Sequence, residues 1–168
     1  MAGTLTIYAV EGIPTRGDSF AGHCWIEYEP VSGPPMTYGT WGNNPTGLGT
    51  GLLEELDPGR AGVAQRSVYL DDLQEARLMN WIQQYRDKGQ DDSRSLNRSA
   101  EFVPNTWYIA TGEKLSGRGR AMSNSSYLKD SIERANAKGP AVAVPGESKA
   151  RGSGDSLRRR RAFSPSPW

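Results

Sequence analysis

Thr4–Val10 reads TLTIYAV, with Leu5, Ile7 and Ala9 alternating against Thr4, Thr6 and Tyr8. That period of two predicts a half-buried β-strand. Phe20–Glu29 and Met36–Trp41 carry two further β-rich runs, divided by Ser32-Gly33-Pro34-Pro35, while Gly12, Pro14 and Gly17-Asp18 punctuate the first link. Short strands joined by short links predict an antiparallel meander. Gly42–Gly62 holds six glycines and predicts a long loop, a length of connection that often borders a site. Val63–Leu70 resumes an extended pattern.

From there the period changes. Asp71 or Asp72 can cap a helix running to Lys88, with Gly89 as its stop. Leu73, Leu78, Trp81, Ile82 and Tyr85 fall on or near one stripe at helical spacing and read as core. Gln90–Arg98 is a polar loop. A second helix is predicted from Ser99 or Ala100 to Thr111, ended by Gly112 and carrying Phe102, Val103, Trp107 and Ile109. Pro104 is expected within its first turn or so, where a missing N–H costs little. A third, short helix is predicted over Tyr127–Ala137, closed by Gly139-Pro140, and no internal repeat is visible. Together these elements predict an α+β fold, an antiparallel sheet packed against helices.

Composition narrows the function classes. The chain has 168 residues, which suits one domain. One Cys excludes an internal disulfide and a Cys-rich zinc site, and one His removes most His-based metal sites. A metal held only by carboxylates stays open, but no Asp-rich loop carries calcium-binding spacing; no metal site and no cofactor are expected. No stretch approaches the roughly 20 apolar residues of a membrane span. The N-terminus, MAGTLTIYAVEG, has no basic region and no small-residue cleavage site, so cytoplasmic synthesis without a secretory signal is expected. The net charge of +1 hides an asymmetry: Glu147–Trp168 carries +4 and the rest of the chain −3. Gly, Ser, Pro and Arg dominate that end, which cannot bury enough surface to offset ordering. The expected organisation is a domain over 1–138 and a basic, disordered tail over 139–168.

His23 is the obvious general base and Cys24 the obvious nucleophile, yet their adjacency argues against them as a pair. On a strand, His23, Trp25 and Glu27 share one face while Cys24, Ile26 and Tyr28 share the other. Cys24 therefore reads as a small core residue. Glu27 shares the imidazole's face, but four residues at about 3.3 Å put it about 13 Å along the strand. The second helix opens beside a hydroxyl, Ser99. A helix N-terminus favours developing negative charge and offers free N–H groups for an oxyanion hole.

These residues resemble a known group. Gly22-His23-Cys24-Trp25-Ile26-Glu27, then Thr37-Tyr38-Gly39-Thr40-Trp41, then the Leu70–Tyr85 helix, look like the first half of the circularly permuted NlpC/P60 (papain-like) hydrolases. Leu96-Asn97-Arg98-Ser99-Ala100-Glu101-Phe102, continued by Trp107 and Thr111-Gly112, resembles the stretch that carries that group's nucleophile. The likeness spans roughly residues 4–137. It implies a papain-like fold in permuted order, the His strand before the nucleophile helix, with His23 as base and position 99 as nucleophile. A third polar group on the next strand would orient the imidazole, and Tyr38 and Thr40 stand there. The group's nucleophile is Cys, and this chain has Ser99. Three explanations remain open: an introduced Cys→Ser change, a natural Ser nucleophile, or an inactive binder that keeps the fold. Ser is a far weaker nucleophile near neutral pH.

The resemblance implies an amide-bond hydrolase of the peptidoglycan amidase or endopeptidase type. Its small, signal-less members look like antibacterial effectors delivered to the periplasm of a target cell by a secretion apparatus. A peptidoglycan or other amide substrate and a cognate immunity protein would be its partners. The rival reading is a non-enzymatic binding module that uses the Gly42–Gly62 loop, Trp25 and Trp41 to hold a glycan or a protein partner. Nucleic-acid binding through Arg158–Arg161 is a weaker rival, since the rest of the chain is acidic and shows no basic stripe.

Overall fold

The computed structural model describes residues 2–10, 22–41, 51–54, 64–87, 99–118 and 125–143, with the backbone alone at 41, 51–54, 87, 99 and 100. Five strands form one sheet: β1 (Gly3–Val10), β2 (His23–Pro30), β3 (Met36–Trp41), β4 (Gly51–Glu54) and β5 (Ala64–Leu70). Their spatial order is β4-β3-β2-β1-β5, antiparallel at every pairing. Three helices follow in the chain: α1 (Asp72–Asp87), α2 (Ser99–Thr111) and α3 (Ser125–Lys138). The predicted α+β class, an antiparallel sheet with helices against it, is the class observed.

The register decides which side chains meet the helices. Leu5, Ile7 and Ala9 stand opposite Tyr28, Ile26 and Cys24 on one side, and opposite Val68, Arg66 and Ala64 on the other. All of these except Arg66 join one core with Leu78, Ile82, Phe102, Val103, Trp107, Leu128 and Ile132. The three helices therefore cover a single face of the sheet. Each fully buried Leu, Ile or Phe there contributes about 1.5–3 kcal/mol.

Two local predictions need correction here. The Gly42–Gly62 segment contains β4, whose Gly51–Glu54 backbone pairs with Tyr38–Trp41; four residues between glycines are too few for periodicity to reveal a strand. Leu73 is 55% exposed and is not core. The inward stripe of α1 runs through Gln74, Leu78 and Ile82 instead, and Gln74 occupies the first inward place because it caps the helix. Its Oε1 accepts the Asp71 N–H and its own N–H donates to Asp71 Oδ1, both at 2.8 Å. This reciprocal pair satisfies two polar groups at the helix start and identifies Asp71 as the cap.

Pro104 lies beyond the first turn of α2, so the Ala100 carbonyl loses its usual i+4 N–H donor. The side chains compensate by locking α2 to α1. Thr106 Oγ1 donates to the Phe102 carbonyl at 2.8 Å and accepts the Trp81 indole N–H at 2.9 Å. Tyr85 packs on Phe102 with ring centroids 4.6 Å apart. α2 ends at Gly112, whose φ of 76° closes the turn without a Cβ penalty.

Arg66 is the one inward-facing charge of β5, buried between Ala64 and Val68. Its Nε and Nη2 donate to both Glu113 carboxylate oxygens at 2.9 and 2.8 Å, and Nη1 donates to Asn136 Oδ1 and the Gly139 carbonyl. Ala141 and Ala143 pack against the core, so the first residues of the 139–168 stretch accompany the folded body. Residues 144–168 lie outside the described residues, as do the predicted turn residues Gly12, Pro14, Gly17 and Asp18, the Gly89 stop and the Gln90–Arg98 loop.

Candidate functional site

His23 is the first residue of β2 and stands opposite Val10, the last residue of β1. Alternation carries its imidazole to the face away from the helices, together with Trp25 and Glu27. On that face the rings form a ladder. Tyr8 stacks on Trp25 with centroids 4.9 Å apart and planes 8° from parallel, and His23 stacks on Trp25 at 6.0 Å and 11°. His23 is 5% and Trp25 4% exposed. The imidazole is thus buried and lies nearly parallel to the Trp25 indole at the end of the sheet.

Neither neighbouring candidate completes it from the same strand. Cys24 is fully buried on the helix face, so the sheet separates thiol from imidazole. Glu27 accepts a hydrogen bond from the Tyr8 hydroxyl at 3.3 Å, further along the strand. Sequence alternation alone places both.

On β3 the register sets Tyr38 opposite Ile26 and Thr37 opposite Glu27. Tyr38 therefore belongs to the helix face. It is buried in the core and its hydroxyl donates to Met36 Sδ at 3.3 Å. Thr40 shares that parity. The structure does not bring Tyr38 to the imidazole: Thr37, one position along, has the parity of the His23 face, and it stands opposite Glu27. Thr37 and Thr40 each bury a hydroxyl oxygen that has no hydrogen-bond partner among the described residues. The parity of Thr37 is a signal the sequence carries, because it follows from pairing β3 antiparallel to β2.

Ser99 opens α2, a 13-residue helix that packs on β2 and β3 from the helix face. Its first-turn N–H groups make no intrahelical bond and the macrodipole is positive there. His23 points to the face opposite the one on which α2 packs, so the sheet lies between the imidazole and the body of that helix.

Among the described residues no cluster of three or more His, Cys, Asp and Glu side chains can hold a metal ion. No described helix is long and apolar enough to cross a membrane. Comparison of the chain with family models, curated proteins and solved structures found no match.

Proposed function

We propose that this chain is a papain-like acyl-transfer protein of the amide-hydrolase type, with His23 as base and position 99 as the nucleophile's place. The observation that carries the reading is the paired placement at element starts. A buried imidazole, lying nearly parallel to the Trp25 ring, begins β2, and a helix packed on β2 and β3 begins at Ser99. In such a site the residue at 99 attacks an amide carbonyl, the imidazole takes its proton and later returns it to the leaving amine, and the free N–H groups of the helix start hold the oxyanion. With Ser at 99 the chain keeps the geometry and loses most of the rate. The resemblance to the permuted NlpC/P60 group supports peptidoglycan stem peptides as substrate. It likewise supports delivery to a target cell's periplasm and an immunity protein as partner.

A second reading rests on a specific observation, the imidazole's place on the face opposite α2. It makes the chain a binding module that recognises glycan or a protein partner without cleaving it. Incubating the Ser99→Cys variant with purified peptidoglycan separates the two. The hydrolase reading expects new amine termini from Ser99→Cys and far fewer from the parent chain. Retention of intact peptidoglycan by both, with no amine released, establishes the binding module instead.

A further inference from the structure

A cavity of about 260 Å³ lies between the segment that follows α2 and the C-terminal half of α3. Its wall includes Arg66, Glu113, Lys114, Ser131, Arg134 and Lys138. It is on the helix side of β5, two strands from β2, whereas His23 faces away from the helices. It is therefore separate from the site proposed above and does not depend on that reading.

The charges around it do not balance. Both Glu113 carboxylate oxygens are taken by the Arg66 guanidinium, and Oε2 also accepts the Trp107 indole N–H at 3.1 Å. The one carboxylate on the wall is thus committed to a buried partner. Lys114, Arg134 and Lys138 border the same space and form no ion pair with any described residue. Arg134 and Lys138 sit at i and i+4 on α3, where like charges repel. Cations in the last turn of a helix complement the macrodipole, which accounts for Lys138. It does not account for Arg134, nor for Lys114, which borders the same space from a different segment.

The floor of the cavity is tied together, while Lys114, Arg134 and Lys138 are exposed at its rim. Arg66 ties Glu113 to Asn136 and the Gly139 carbonyl, joining the two sides of the cavity. Ser131 Oγ accepts the Ser116 N–H at 3.1 Å, a second tie across it, which leaves the hydroxyl proton to donate. Three cations and a hydroxyl donor around a small polar concavity match a phosphate group, which offers several acceptor oxygens and a charge near −2.

We infer that this cavity is an anion site for a phosphate-class ligand, either free phosphate or a small phosphomonoester. The test is a titration of the full-length chain with inorganic phosphate and, separately, with glucose 6-phosphate against glucose, followed by amide NMR shifts at constant ionic strength. Saturable shifts are expected at Ser116, Ser131, Arg134 and Lys138. The Arg134→Gln/Lys138→Gln double variant should weaken binding by about tenfold or more. Lys129→Gln, which removes an α3 cation already paired with Glu133 at 2.7 Å and absent from the wall, should leave it unchanged. Tighter binding of glucose 6-phosphate than of inorganic phosphate assigns the site to phosphomonoesters, and equal binding assigns it to the free ion. Shifts that never saturate, or that persist equally in the double variant, overturn the site.

Discussion

The Tyr28 phenol is buried in the core, and its single O–H is shared between Glu75 Oε1 and the Ala2 carbonyl, fastening β2 to the start of α1 and to the N-terminal segment. Burial first, then the hydrogen bond and charge of Glu75, hold its pKa well above the ordinary tyrosine value. The unfolded chain releases this proton near pH 10 while the folded one keeps it. The contribution is therefore complete below pH 10 and is lost as pH rises above that. The stability advantage of the parent over Tyr28→Phe should fall by about 1.4 kcal/mol per pH unit above pH 10, measured by urea unfolding across pH 8–11. Arg66 makes the complementary case for a buried charge. Glu113→Gln leaves the guanidinium in the core without its carboxylate and should destabilise by about 3 kcal/mol at pH 7, read from the same unfolding curves. In the sequence, AQRSVYL places Arg66 at an inward position by simple alternation, so a buried charge needing a partner was legible there. The partner was not, because Glu113 lies on a segment whose approach depends on the turn at Gly112.

At the scale of elements, capping chemistry and periodicity carry most of the information. Asp71→Ala removes the acceptor for the Gln74 N–H and should cost about 1 kcal/mol in the thermal or urea unfolding of the whole chain. β1, β3 and the three helices follow from alternation, 3.6-residue spacing and the glycine at 112. What the pattern did not reveal has physical causes. β4 is held by pairing to β3, a tertiary interaction that leaves no period in four residues. Leu73 reads as core on hydrophobicity, but the capping pair fixes the phase of α1 and turns Leu73 outward. Pro104 lies deeper in α2 than propensity favours, because the contacts of Thr106 and Phe102 with α1 hold that turn from outside.

The whole molecule is organised by the two faces of its sheet. Helices and apolar core occupy one, and the Tyr8–Trp25–His23 ladder occupies the other. Alternation along β2 made the separation of His23 from Cys24 legible in advance. The same rule applied across β3 would have assigned Thr37, and not Tyr38, to the imidazole's face. No single strand or helix specifies whether the imidazole and position 99 meet, since that depends on how the start of α2 sits at the end of the sheet. The rate of iodoacetamide alkylation at position 99 in Ser99→Cys, followed by peptide mass spectrometry from pH 5 to 9 with and without His23→Gln, measures that meeting directly. If the two groups face one another, the thiol reacts well below the ordinary cysteine pKa of about 8.5, and His23→Gln abolishes the low-pH reaction. Identical profiles centred near 8.5 in both chains would contradict the account.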